Sequence, residues 1–182
     1  MKLKSRAKIN LFLHVTGKMP SGYHELQSIF YFPDIYDEIE ISESRKNKDS
    51  IFIDGSFGES LKDDVSNNII IQTINKLRQE FNQNLPFFEM GIKKNLPVAS
   101  GIGGGSANAA AIIRYIKDQY INNKINDQKL KEFAASIGAD VPPCVFSKPC
   151  FVEGIGDEIS YFENFPKLNV LLVNPLVQVS TK

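Results

Sequence analysis

Four of the five residues from Gly101 to Gly105 are glycine, and this run limits what the chain can fold into more than any other feature of the sequence. Glycine has no Cβ, so backbone N–H groups in such a run can turn inward and approach an anion closely. Apolar residues at helical spacing follow directly, beginning with Ala109 and Ile112. The amino-terminal end of a helix carries roughly half a positive charge. The segment therefore predicts a loop that binds phosphate groups at the start of a long helix.

Other interpretations of the glycine run fit less well. A Walker A loop needs a lysine directly before a serine or threonine, and this segment has none. A dinucleotide-binding GxGxxG motif is missed because Ser106 stands at the place of the third glycine. A glycine-rich turn without a ligand is the plainest alternative, although a simple connection rarely needs four glycines. Ser106 and Asn108 would offer a hydroxyl and an amide to oxygen atoms or to a metal ion.

Alternating apolar and polar residues dominate the first third of the chain and predict strands there. The predicted strands cover residues 7–16, 26–32, 38–41 and 51–53, followed later by 87–92, 150–153 and 170–173. Helical spacing predicts one helix capped by Ser66, the helix that follows the glycines, and one helix capped by Asp127 that stops at Gly138. Together these elements predict an α+β fold with a mainly antiparallel sheet and packed helices.

Composition excludes several classes of protein. Lys plus Arg and Asp plus Glu both number 21, whereas a nucleic-acid-binding domain would carry a basic excess. No run of eighteen apolar residues is present to span a membrane, and the basic residues 1–6 lead to no cleavage site. Cys144 and Cys150 match neither a disulfide framework nor a zinc pattern, so we interpret them as small buried hydrophobic residues. We expect a cytoplasmic protein without nucleic-acid or membrane partners, and make no prediction for its oligomeric state.

The stretch Pro-x-x-x-Gly-Ile-Gly-Gly-Gly-Ser-x-Asn-Ala-Ala, which begins at Pro97, resembles the phosphate-binding second motif of the GHMP small-molecule kinases. Three further blocks agree with that family in order and spacing: Ala7-Lys8-Ile9-Asn10-Leu11, Gly22-Tyr23-His24 and Gly138-Ala139-Asp140-Val141-Pro142. The resemblance runs from about Arg6 to the last residue. It implies the family's amino-terminal, ATP-binding domain over residues 1–182, with the fold of domain 2 of ribosomal protein S5.

The activity implied by this resemblance is phosphoryl transfer with ATP and Mg²⁺. In the branch of the family that these blocks match, the γ-phosphoryl group moves to the 2-hydroxyl of 4-diphosphocytidyl-2-C-methyl-D-erythritol, in the non-mevalonate route to isoprenoid precursors. Members of the family continue into a second domain with a third glycine-rich motif, and residues 1–182 contain no such motif. We therefore expect the carboxy-terminal domain to be absent and the chain by itself to have little activity.

Most site residues carry over by their place in the matched blocks, whereas Asn68 and Lys94 fall where the family contacts ATP and Phe30 lies in the apolar run 26–32. Lys8 and Asp140 are the implied catalytic pair, and Ser106 is a possible ligand of the metal ion. The implied substrate-binding residues are Asn10, Tyr23, His24 and Phe30. The implied ATP-binding residues are Pro97, Val98, Ala99, Ser100, Gly101, Ile102, Gly103, Gly104, Gly105, Ser106 and Ala107, together with Asn68 and Lys94.

Each of these residues also has a simpler interpretation. Lys8 and Asn10 fit the solvated face of an edge strand, and Lys94 fits a charge at a strand end. Asp140 before two prolines resembles an ordinary helix N-cap, and Asn68 a residue of a first helical turn. Tyr23 and His24 fit an exposed loop, and Phe30 fits the core. At the level of the whole chain, the alternatives are a non-catalytic nucleotide-binding or assembly domain, and a nucleic-acid-binding domain on a related scaffold, which the zero net charge disfavours.

Overall fold

Two four-stranded sheets form the framework of the protein. A computed structural model describes residues 1–20, 22, 24–62, 67–121 and 125–175. The first sheet has the strand order β1-β4-β6-β5, and the second has the order β2-β3-β7-β8. The strands are β1 (Lys2–Arg6), β2 (Ile9–Lys18), β3 (His24–Tyr31), β4 (Tyr36–Glu43), β5 (Ser50–Asp54), β6 (Phe88–Lys93), β7 (Cys150–Glu153) and β8 (Glu158–Tyr161).

Every neighbouring pair of strands is antiparallel except β5 and β6, which run parallel. The helices are α1 (Ile69–Glu80), α2 (Gly104–Ile116), α3 (Asp127–Ile137) and α4 (Val141–Phe146). Glu59–Leu61 forms one turn of 3-10 helix, and a π-helical turn, Lys117–Ile121, extends α2. The prediction of an α+β fold with mainly antiparallel sheets and packed helices is therefore confirmed.

The core lies between the helices and the first sheet. Alternate residues of β4 and β6 point inward, because side chains along a strand alternate between its two faces. They meet the apolar side of α1 and almost the whole surface of α2. The fully buried side chains of this cluster are Ile39, Ile41, Ile70, Ile74, Leu77, Phe88, Ile112, Ile113 and Ile116. Alanines at 109–111 keep α2 thin, so it can sit close to its neighbours.

The predicted strand over residues 7–16 corresponds to β2, which begins at Ile9; β1, which precedes it and belongs to the other sheet, was not predicted. Ala7 and Lys8 break the pattern because their backbone N–H groups bond outside both ladders, to the carbonyl oxygens of Ile35 at 2.9 Å and Ile102 at 2.8 Å. β1 before this break joins the first sheet, and β2 after it joins the second. The break therefore places Lys8 at the junction of the two sheets.

Two helix starts differ from the predicted ones. α1 is capped by Asn68, whose side-chain oxygen accepts from the N–H of Ile70 at 3.0 Å; the predicted cap, Ser66, lies outside the described residues. α3 is capped by Asn126, one residue before the predicted Asp127, because its side-chain oxygen accepts from the N–H of Lys129. Asp127 instead begins the first turn, where a negative charge favours the helix dipole.

The prediction of a buried strand over residues 170–173 is wrong. These residues pair with no strand in the described part of the chain, and the side chains of Leu171 and Val173 are 87% and 83% exposed. An apolar run alone does not form a strand when no partner edge is present to accept its hydrogen bonds. Strand β8, which the sequence analysis missed, pairs with β7 instead.

We predict that Ile74→Ala lowers the free energy of unfolding by about 2–5 kcal/mol, because the lost side chain leaves a cavity between α1 and the sheet. Ile155→Ala removes the same atoms from a side chain that is 43% exposed, and its effect should stay below about 1 kcal/mol. Urea unfolding followed by circular dichroism measures both values. Equal losses for the two variants would contradict this description of the core.

Candidate active site

Lys8 is buried where the two sheets meet, and its backbone touches the glycine-rich segment directly. Its N–H group donates to the carbonyl oxygen of Ile102 at 2.8 Å. Its side chain runs along Gly103, where a Cβ would lie 3.2 Å from Cβ and 3.3 Å from Cε of Lys8. Gly103 also has a φ of +67°, a conformation that side-chain-bearing residues rarely adopt. Gly103 is therefore required both by its backbone conformation and by the close approach of Lys8.

The ammonium group of Lys8 contacts three groups, two of which come from distant parts of the chain. Its Nζ lies 3.2 Å from Oδ1 of Asp140 and 3.3 Å from Oδ1 of Asn10. It also lies over the ring of Phe30, 4.0 Å from the centroid, which is a favourable cation–π distance. The side chain of Lys8 is only 5% exposed, and a buried ammonium needs such partners to offset its lost hydration. The interpretation of Lys8 as a solvated surface residue is therefore wrong.

Asp140 stands at the N-cap position of α4, but its carboxylate does not cap the helix. A capping side chain accepts from the N–H groups of the second or third helical residue. In α4 these residues are Pro142 and Pro143, which have no N–H group. The carboxylate is thus left to pair with Lys8, and it is 49% exposed, so the same group also faces solvent. The simple capping interpretation of Asp140 is wrong.

Ser28 fixes the orientation of Asn10, and the sequence analysis missed it. The side-chain NH₂ of Asn10 donates to Oγ of Ser28 at 2.9 Å, and this hydroxyl donates to the carbonyl oxygen of Phe12 at 2.6 Å. Asn10 therefore presents its oxygen to Lys8. Ser28 is fully buried within the apolar run 26–32, and a polar residue inside such a run is the signal that could have identified it.

A cavity of about 500 Å³ opens beside the glycine-rich segment. α2 begins at Gly104, and no side chain caps its first turn, which leaves the backbone N–H groups of that turn available to an anion. Beyond residues 97–106, the cavity wall includes the polar residues Ser60, Asn67, Asn68, Lys94 and Asn108 and the apolar residues Ile53, Leu61, Ile69 and Ile92. This combination of an amide-lined end and an apolar wall suits a nucleotide, with phosphates at one end and a base at the other.

Most of the residues implied in ATP binding line this cavity. They are Asn68, Lys94 and all residues from Pro97 to Ser106, whereas Ala107 is buried in the first turn of α2. Asn68 is also the cap of α1, so its side-chain oxygen is already in use. Asn108 is buried in the cavity wall, and its side-chain oxygen has no hydrogen-bond partner among the described residues. A buried polar atom without a partner is a sign that a ligand or water completes the site.

Of the residues implied in binding the cytidine end of the substrate, the structure brings Phe30 to Lys8 but places His24 at the other end of the β2–β3 hairpin. His24 is exposed and pairs with Lys18 at the far end of the β2–β3 hairpin, whereas Asn10 pairs with Phe30 at the near end. Lys18 lies eight residues beyond Asn10 along β2, which is at most about 27 Å in an extended strand, and the pairing of β2 with β3 has two irregularities. Tyr23 lies outside the described residues. Phe30 belongs to the core and lies under the ammonium group of Lys8.

The described residues contain no group of three or more His, Cys, Asp or Glu side chains that could hold a metal ion. The hydroxyl of Ser106, in the first turn of α2, lines the cavity beside the exposed amide groups. A divalent ion that arrives with the phosphates of a nucleotide needs few protein ligands, so this donor set fits Mg²⁺ bound mainly by phosphate oxygens.

Both cysteines are buried and unpaired, as the sequence predicted. Burial raises the pKa of the Cys144 thiol to about 12 and that of Cys150 to about 11. Both thiols are therefore protonated at neutral pH and are poor nucleophiles.

Within the described part of the chain, every helix is too short or too polar to cross a lipid bilayer.

Comparison with known proteins agrees with this geometry. Residues 68–148 match the family described as GHMP kinases N terminal domain. A 4-diphosphocytidyl-2-C-methyl-D-erythritol kinase of Francisella tularensis subsp. tularensis (strain FSC 198) is 39% identical over 181 residues, which are 100% of this chain and 63% of that protein. The kinase of the same name from Rhizobium etli is 40% identical over 98% of this chain and 60% of its own length. The chain thus spans about three fifths of the length of these curated relatives.

Solved structures of several kinases share the fold. A crystal structure of 4-(cytidine 5'-diphospho)-2C-methyl-D-erythritol kinase superposes with a TM-score of 0.72 at 22% identity, covering 94% of this chain and 61% of that one. A D-glycero-D-manno-heptose 1-phosphate kinase superposes with a TM-score of 0.66 at 15% identity, covering 91% of this chain and 60% of that one. At these identities the likeness concerns the fold. The segment that matches the GHMP kinases N terminal domain, residues 68–148, includes the glycine-rich segment, Asp140 and helices α1 to α4, so the similarity covers most of the candidate site.

Proposed function

We propose that this chain provides the ATP-binding cavity and the catalytic pair of a kinase that phosphorylates the 2-hydroxyl of 4-diphosphocytidyl-2-C-methyl-D-erythritol. The observation that carries the proposal is the position of Lys8. Its backbone and its aliphatic stem touch the glycine-rich segment, while its ammonium group holds Asp140 at 3.2 Å. One residue thus links the place where phosphates would bind to the carboxylate that would face the acceptor hydroxyl. The names of the curated relatives supply the identity of the acceptor.

In this proposal the glycine-rich segment and the first turn of α2 bind the triphosphate. Their N–H groups and the helix dipole stabilise the negative charge of phosphate oxygens. Mg²⁺, when bound with the nucleotide, would neutralise further charge on the phosphates, and Ser106 is the proposed protein ligand. Asn68 and Lys94 complete the nucleotide cavity from α1 and from the end of β6.

Asp140 is the proposed acceptor of the proton from the substrate hydroxyl. The hydroxyl oxygen forms a bond to the γ-phosphorus, the bond from that phosphorus to the oxygen shared with the β-phosphate breaks, and ADP leaves. A carboxylate is a much weaker base than an alkoxide, so the proton moves late, when the new bond to phosphorus is forming. Lys8 keeps the carboxylate in place and stabilises negative charge on the transferred group. Positioning and electrostatics then supply most of the rate.

The remaining substrate would lie along the β2–β3 hairpin. Asn10, held by Ser28, is close enough to Lys8 to contact the methylerythritol unit. Tyr23 and His24 are the proposed contacts of the cytidine ring, by stacking and by hydrogen bonding. Phe30 is the weakest member of this set, because its ring is buried and already faces Lys8.

We predict that Gly103→Val raises the Kd for ATP at least tenfold. The new side chain would force a strained backbone conformation and would push against Lys8, displacing the amide groups that bind phosphate. Gly156→Val is the matched control, since Gly156 also has a positive φ, +100°, but a Cβ there meets nothing within 4 Å. Isothermal titration calorimetry on folded variants measures both. Unchanged ATP affinity in Gly103→Val would refute the phosphate-loop assignment.

We predict that Lys8→Met and Asp140→Asn each lower kcat by about a hundredfold or more in the natural full-length protein, since each removes charge stabilisation in the transition state. The two residues act as a pair, so the double variant should lose little more than either single variant. Substrate-dependent ADP release measures kcat, and calorimetry checks that ATP still binds. Independent effects that multiply in the double variant would show that the two residues do not act together.

A further inference from the structure

Asp37 is fully buried beneath the phosphate-binding cavity, and the proposed function gives it no role. It lies on β4 and faces the point where β6 ends and the chain turns toward Pro97. One carboxylate oxygen accepts from the backbone N–H groups of Asn95 and Leu96, both at 2.8 Å. The other oxygen accepts a short hydrogen bond from the ammonium group of Lys94. Asp37 therefore fixes both the backbone at residues 95–96 and the ammonium group of Lys94, just before the glycine-rich segment.

The Lys94 ammonium group lies against the start of α2. Its Nζ is 3.1 Å from the position that a Cβ on Gly104 would occupy, and Lys94 lines the cavity. A cation at the amino-terminal end of a helix is repelled by the helix dipole, so it needs a nearby anion. Asp37 is that anion in the described structure. A phosphate group at the first turn of α2 would be a second one.

A second, partly buried ion pair, Asp49 with Arg78, shows how the pair of Asp37 and Lys94 differs from one that only supports the structure. Asp49 pairs with Arg78 and also accepts a backbone N–H, that of Phe88, at 2.8 Å. The guanidinium group of Arg78 also donates to other protein oxygens, including the carbonyl groups of Pro86 and Leu85. Lys94 has three N–H donors, and among the described residues only Asp37 accepts from its ammonium group. The cation of Lys94 thus has donors left for a ligand.

We propose that Asp37 is a positioning residue for nucleotide binding, which acts by holding the ammonium group of Lys94 at the floor of the cavity, toward a phosphate of ATP. This inference rests on the proposed function, because it takes ATP as the ligand. Buried ion pairs contribute little net stability, since desolvation offsets their attraction, so the pair is better explained by what it positions. Asp37 itself touches no ligand in this account.

The test compares Asp37→Asn with Asp49→Asn by calorimetric titration with ATP. Asparagine can still accept from the N–H groups of Asn95 and Leu96, so Asp37→Asn mainly removes the charge that holds Lys94. We expect its Kd for ATP to rise at least tenfold. Asp49→Asn makes the same chemical change in the partly buried pair with Arg78, which lies outside the cavity wall, and should change the Kd less than twofold.

A double-mutant cycle separates positioning from a merely structural role. In a Lys94→Met background, Asp37→Asn should weaken ATP binding no further, because its effect passes through Lys94. An equal loss in both backgrounds would show that Asp37 only supports the loop, and an unchanged Kd in Asp37→Asn would overturn the inference directly. If Asp37→Asn does not fold, the Kd for ATP of Lys94→Met is the deciding measurement. A Kd within twofold of that of the unsubstituted chain would overturn the inference. Failure of the unsubstituted chain to bind ATP would instead overturn the proposed function and this inference together.

Discussion

The hydrogen bond from the backbone of Lys8 to Ile102 is the contact on which the rest of the site depends. It takes Lys8 out of both sheet ladders, and with the neighbouring bond from Ala7 to Ile35 it separates β1 from β2. The chain then passes from one sheet to the other within two residues. Because the bond also fixes the glycine-rich segment, both sheets and the start of α2 meet around a single side chain. The ammonium group of Lys8 then reaches α4 through Asp140.

Local features of the site were predictable from the sequence. A run of glycines followed by apolar residues at helical spacing is a local pattern, and the structure has α2 beginning at Gly104. The alternation of apolar and polar residues correctly predicted that the side chains of Lys8 and Asn10 point the same way, since Nζ of Lys8 lies 3.3 Å from Oδ1 of Asn10. The two prolines after Asp140 also held usable information: they remove the N–H groups that a capping carboxylate needs, so the sequence already argued against capping.

Features that depend on distant contacts were not predictable. The carboxylate of Asp37 gains its partners 57 to 59 residues later in the chain, and no local pattern marks them. Ser28 similarly depends on Asn10 and Phe12 across a strand pair. The break at Lys8 is set by backbone bonds to Ile35 and Ile102, which side-chain periodicity does not reveal. The strand prediction for residues 170–173 was wrong for the same reason: a strand needs a neighbouring strand to pair its backbone hydrogen bonds, and the sequence of one segment does not show whether that neighbour exists.

The separation of Lys8 and Asp140 along the chain has a consequence for folding. These residues are 132 positions apart, and strands β2 to β6 and helices α1 to α3 lie between them in the chain. During synthesis Lys8 is made early, and its ammonium group stays hydrated until residue 140 is available to pair with it. Contacts between such distant residues form late, because the entropy of closing a long loop must be lost first. The contact between Lys8 and Asp140 therefore forms late in folding, and it reports on the completion of the structure around it.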